Sequence, residues 1–224
     1  MHKFVLAAAL SLAPASVALA EVSKTDLGLA AKPAFAPGSH GEPFIVQGLV
    51  QGCTLIDNAP FCAFYAEGWR WYGSETATNP ATLKLLEDLP VNTPIEVKGD
   101  IISQGDITIE AAISSMAVIS PDAFAPLRDM MQGGWIDATD PQNELQVLGS
   151  EEVNFYAGDI VETDVLTFAD QCPDGPEGVG PVITKQMMGG DPMDVPCFYI
   201  VSLTPDRMEL SYVGRGNTLI FNRK

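Results

Sequence analysis

The chain has 224 residues, 46% hydrophobic and 18% charged, and its 29 acidic against 12 basic side chains leave a net charge of -17. That content is enough for a real core, and the length allows one or two domains. The negative surplus excludes a nucleic-acid partner, whose phosphates it repels, and disfavours docking on anionic lipid.

The first twenty residues have the three parts of an export signal. His2-Lys3 is followed by an apolar run, Phe4 to Leu12, and Ala18-Leu19-Ala20 matches the small-x-small cleavage rule. The run is too short to anchor the chain in a bilayer. The mature protein is therefore expected to start at Glu21, to be periplasmic or secreted, and to have no membrane span. Residues 21–43 contain Pro33, Pro37 and Pro43 and read as a flexible leader. His40, the one histidine left after cleavage, lies there, where a solvated side chain is expected rather than a catalytic one.

Residues 44–120 read as a small β domain. Phe44 to Leu55 and Phe61 to Tyr72 are β-rich runs. Asn79-Pro80 opens a helix, with Asn79 as its cap, Leu83, Leu85, Leu86 and Leu89 as its apolar face and Pro90 at its end. Ile95 and Val97 then alternate with Glu96 and Lys98, and Ile107 and Ile109 with Thr108 and Glu110, across a turn at Ser103-Gln104-Gly105-Asp106. This order of elements resembles an OB-fold, a five-stranded barrel with a helix after the third strand. The resemblance implies an oligonucleotide or sugar surface on exposed aromatics, here Phe64, Tyr65, Trp69, Trp71 and Tyr72. Only Arg70 accompanies them, so single-strand binding is not expected and core packing is the default.

Residues 121–132 form a linker helix, with Phe124, Leu127 and Met131 at helical spacing before Gly133-Gly134. Residues 133–224 divide into about eight β-rich runs, a number that suits an up-and-down barrel. The last three runs are the clearest: Cys197 to Leu203, then Met208, Leu210 and Tyr212 alternating with polar residues, then Leu219 and Phe221 before Arg223. Gly133-x-Trp135 in the first strand with Arg223 ending the last resembles the pairing in lipocalin-like (calycin) barrels. That resemblance implies that the arginine packs across the tryptophan at the closed end. The stretch is shorter than an ordinary lipocalin, which argues against a large internal ligand cavity.

Four cysteines, Cys53, Cys62, Cys172 and Cys197, allow three pairings. Proximity favours Cys53–Cys62 and Cys172–Cys197, one per domain. Neither CxxC spacing nor a neighbouring histidine points to a metal.

Catalytic chemistry has little to build on. Without an ordered histidine no Ser-His-Asp or Cys-His arrangement is available, and Gly178-x-Gly180 lies in a Pro-rich connection rather than between strand and helix. Asp170, Asp174 and Glu177, and separately Asp137, Asp140 and Glu144, lack the EF-hand spacing for calcium and read as acidic loops. Met187, Met188 and Met193 could offer thioethers to copper(I), but no histidine accompanies them, and they read as a loop. The chain is thus expected to be mainly β, with two small antiparallel β-barrel domains, OB-like followed by lipocalin-like, and no cofactor. Its expected role is non-enzymatic binding of a small ligand or an envelope protein. The alternative is an extracytoplasmic carboxylate-dependent hydrolase, since acids are plentiful.

Overall fold

The computed structural model describes residues 35–56, 59–173, 175, 180–188, 195–213 and 216–224. The expected export signal at 1–20, with most of the leader, lies outside them. The fold is mainly β and consists of two closed barrels, one of five strands and one of eight.

The first barrel contains β1 (Glu42–Ile56), β2 (Ala59–Ala66), β3 (Trp69–Gly73), α1 (Pro80–Asp88), β4 (Pro94–Gln104) and β5 (Thr108–Val118). Around the barrel the order is β1-β2-β3-β5-β4, closed by β4 against β1. Among the described strands only β3 and β5 run parallel. A parallel pair needs a crossover, and α1 with β4 supplies it. β1 pairs with β4 from Glu42 to Leu49 and with β2 from Leu49 to Ile56, with a bulge at Val50/Gly52. One long strand therefore serves two neighbours by bending, and the bulge provides the bend. Val46, Val50, Phe64, Trp71, Ile95, Val97 and Ile113 fill the interior, and Leu86 of α1 plugs it.

Three differences from the sequence expectations stand out here. The run Phe61 to Tyr72, read as one β-rich stretch without a placed break, divides into β2 and β3. Glu67 and Gly68, both at positive φ, form a two-residue hairpin turn of the kind that matches strand twist. Glu is an unusual occupant of that backbone region, so the turn lacked its Asn-Gly or Asp-Gly signature. β1 also begins at Glu42, inside the stretch read as leader. Finally, the preceding residues are tied down: the buried Asp100 carboxylate accepts the backbone N–H groups of Gly38 and His40 at 2.8 and 2.9 Å. His40 rests edge-on against Phe35, with ring centroids 4.6 Å apart.

α2 (Ala125–Met131) leads into the second barrel. Its strands are β6 (Gly133–Asp137), β7 (Asn143–Leu148), β8 (Glu151–Tyr156), β9 (Asp159–Ala169), β10 (Val182–Met187), β11 (Cys197–Leu203), β12 (Arg207–Tyr212) and β13 (Thr218–Arg223). Each pairs antiparallel with the next, and β13 returns to β6. Eight strands give an interior just wide enough for side chains to fill. Trp135, Leu145, Val147, Leu166, Ile183, Phe198, Met208, Leu210 and Phe221 fill it.

Two disulfides are formed, Cys53–Cys62 across β1 and β2 and Cys172–Cys197 beside β11. Each closes a loop whose removal from the unfolded ensemble is worth about 3 kcal/mol. The barrels also hold each other. The side-chain amide of Gln51 in β1 donates to the carbonyl of Leu148 at 2.8 Å and accepts the N–H of Ser150 at 2.9 Å. Tyr65 donates to Glu151 across the same junction at 2.6 Å.

Candidate functional site

The structure brings Trp135 and Arg223 together. They are register partners between β6 and β13, and the guanidinium carbon lies 3.7 Å from the Trp135 ring centroid. The Arg223 N–H groups donate to the carbonyls of Pro205 (2.8 Å), Met130 (2.6 Å) and Gln132, and the indole N–H donates to the carbonyl of Met131 at 2.8 Å. Each nitrogen of the guanidinium thus donates to a backbone carbonyl of the fold. The cluster pins the last strand to the first and to the end of α2.

The concavity with the makings of a site is on the first barrel, a groove of about 640 Å³ between α1 and the outer face of β2 and β3. Its floor is aromatic. Phe61 and Tyr72, on neighbouring strands, have ring centroids 4.6 Å apart, and Leu83 of α1 forms the opposite wall. The width of the groove depends on how closely α1 approaches β3. Gly73 sets that approach, because a Cβ at this position would lie 2.6 Å from Leu83 Cδ2 and 3.1 Å from Ile113 Cδ1. The helix itself starts as its sequence dictates: Asn79 Oδ1 accepts the N–H of Ala81 at 2.9 Å, and Pro80 takes the first helical position.

Around this floor stand Glu75, Glu87 and Glu110 with Lys84. Lys84 is held by Glu87 at 3.1 Å and Asp88 at 2.6 Å. Among the described residues no basic side chain forms an ion pair with Glu75 or Glu110. The Tyr72 hydroxyl has its pKa raised, first by burial and then by the Glu110 carboxylate. Beside the groove the Arg70 guanidinium lies 5.7 Å from the Phe61 ring centroid. A second, narrower crevice of about 370 Å³ runs between the barrels past Tyr65 and Phe168, where Arg128 is paired with Asp122 at 2.6 Å.

Among the described residues the one carboxyl pushed well up, Asp164, lies inside the second barrel. Glu152 of β8, Asp164 of β9 and Lys185 of β10 are 0, 4 and 8% exposed. Lys185 donates to Glu152 and stands 5.2 Å from the Phe198 ring centroid, while Asn154 donates to Asp164 at 2.9 Å. Burial, then the charges of Glu162 and Glu152, push the Asp164 carboxyl up to about 6. A hydrolase needs its carboxyls facing a substrate across a cleft. Asp164 and Glu152 are instead closed off from solvent by the barrel wall.

The other sequence candidates do not converge. Asp137 accepts from Thr139 and from the N–H of Asp140, and so shapes a turn; Glu144 pairs with Lys224. Asp174, Glu177 and Met193 lie outside the described residues. Among the described residues no cluster of three or more His, Cys, Asp or Glu is placed to hold a metal ion, and no helix is long and apolar enough to cross a membrane. Of the aromatics, Phe64 and Trp71 are core residues and Tyr72 faces the groove. The sequence reading missed Phe61 as its partner. No sequence signal paired them, because Tyr72 lies opposite Ala63 in the β2–β3 register and Phe61 reaches it only diagonally, two residues along β2. The chain matches no known family model and no curated protein.

Proposed function

We propose that this is a non-enzymatic exported protein whose first barrel binds a small ligand in the groove beside α1. The observation that carries this reading is the groove itself: an aromatic floor of Phe61 and Tyr72 and an apolar wall at Leu83, with a few polar groups around them, in the size range of small-molecule sites. Two disulfides support an oxidising compartment outside the cytoplasm. The strand order β1-β2-β3-β5-β4, with a helix between β3 and β4, supports an OB-like first barrel. The up-and-down order of the second barrel, with Arg223 stacked on Trp135, supports a lipocalin-like one. In this reading the second barrel is a filled support for the first rather than a container.

Native mass spectrometry on protein purified from its own envelope tests the proposal. A retained ligand appears as added mass, and Leu83→Trp, which fills the groove, abolishes it. Added mass that survives Leu83→Trp places the ligand elsewhere. N-terminal sequencing of the same sample is expected to begin Glu-Val-Ser-Lys.

A further inference from the structure

We infer that the groove selects an organic cation, a small ammonium ion carrying a ring or short apolar body, over neutral and anionic molecules of the same shape; this rests on the reading of the groove as a ligand site.

Three independent features converge on that charge. The first is the floor. Phe61 and Tyr72 offer ring faces, and ring faces attract cations through their quadrupole while also burying apolar surface. The chain already uses this property, since it sets its own Arg70 guanidinium 5.7 Å from the Phe61 ring centroid. The second is the rim. Three carboxylates and one ammonium line the groove, and that ammonium is already shared between Glu87 and Asp88. Glu75 and Glu110 are left without an ion-paired base among the described residues. Glu110 belongs to β5 and accepts from Ser103 at 3.2 Å, so its carboxylate is held rather than swinging free. The third is the whole molecule, whose net charge of -17 draws cations and repels anions before contact. An anion entering this groove meets Glu75, Glu87 and Glu110, and the two bases near it, Lys84 and the Arg70 beside Phe61, are each already paired with carboxylates, Arg70 with Glu151 at 3.6 Å. A neutral ring gains the floor alone. A cation gains the floor, the rim and the long-range field.

The test uses the full chain and three probes with one ring and different charge: benzyltrimethylammonium, benzyl alcohol and benzoate. Each is titrated while the NMR signals of Phe61, Tyr72 and Leu83 are followed. The cation is expected to bind roughly 3- to 30-fold more tightly than the alcohol at low salt, the margin shrinking as salt is added, and benzoate to leave the signals unmoved. Glu110→Gln is expected to reduce the margin without weakening the alcohol. Equal binding of cation and alcohol, insensitive to salt and to Glu110→Gln, overturns the charge selection and leaves the groove standing as a ligand site. If none of the probes moves these three residues, or the cation moves only residues elsewhere, both the selection and the site are overturned.

Discussion

Buried charge makes Asp164 the most informative single residue. Its carboxyl faces Glu152 from β8, Glu162 on its own strand and Lys185 from β10, and its pKa is pushed up to about 6 from an ordinary 3.8. A carboxyl raised by folding binds its proton more tightly in the native state than in the unfolded one. Between pH 6 and 4 the native chain therefore holds more protons, and stability rises as the pH falls through that window. Above pH 6 the ionised group costs ~1–3 kcal/mol, allowing for screening. Asp164→Asn is expected to remove that cost at pH 7 and to flatten the profile between pH 6 and 4, read as a difference from the native chain in denaturant titrations. An unchanged profile would show that Asp164 does not titrate there. At Arg223 the expectation is loss. Arg223→Ala forfeits the stack on Trp135 and strands the carbonyls of Met130 and Gln132, costing about 2–4 kcal/mol. Arg223→Lys should restore only part of this, because an ammonium cannot stack flat and serve three carbonyls at once.

At the scale of elements, what most affects the groove is the seating of α1 on β3. Gly73→Ala is expected to push Leu83 outward, to cost ~1–3 kcal/mol as overpacking does, and to weaken any ligand of the groove. Asn79→Ala should cost ~1 kcal/mol by freeing the N–H of Ala81 while leaving the floor of Phe61 and Tyr72 in place. Chemical denaturation separates these effects from binding, which is read on the same variants by titration. Both helix ends were legible from the chain, because capping is a local transaction between neighbours in sequence. The β2–β3 hairpin was not, because its turn relies on Glu67 in a backbone region where glutamate is rare.

Across the whole molecule, Gln51 is the residue on which the coupling of the barrels turns. Its amide satisfies a donor and an acceptor of the β7–β8 turn from the opposite barrel, and Gln132 grips Gly149 in the same turn, accepting its N–H at 2.6 Å. Gln51→Leu should leave the N–H of Ser150 unpaired in a buried place, at a cost of ~1–3 kcal/mol. In calorimetry the two barrels are then expected to unfold in separate transitions. A single transition at the native position would mean that Gln51 does not couple them. The sequence by itself determined the mainly β content and the two-barrel division, and favoured the cysteine pairing that forms, since alternation, turn residues and short loops are properties of neighbours along the chain. It also carried the alternation that brings Phe221 and Arg223 to β6. The parallel β3–β5 pair, the enclosure of Lys185 with Glu152 and Asp164, and the meeting of Phe61 and Tyr72 under α1 were decided only by the tertiary structure. Each depends on which faces of distant strands are turned towards one another, and hydrophobic pattern alone does not distinguish a charged residue inside a barrel from one on its surface.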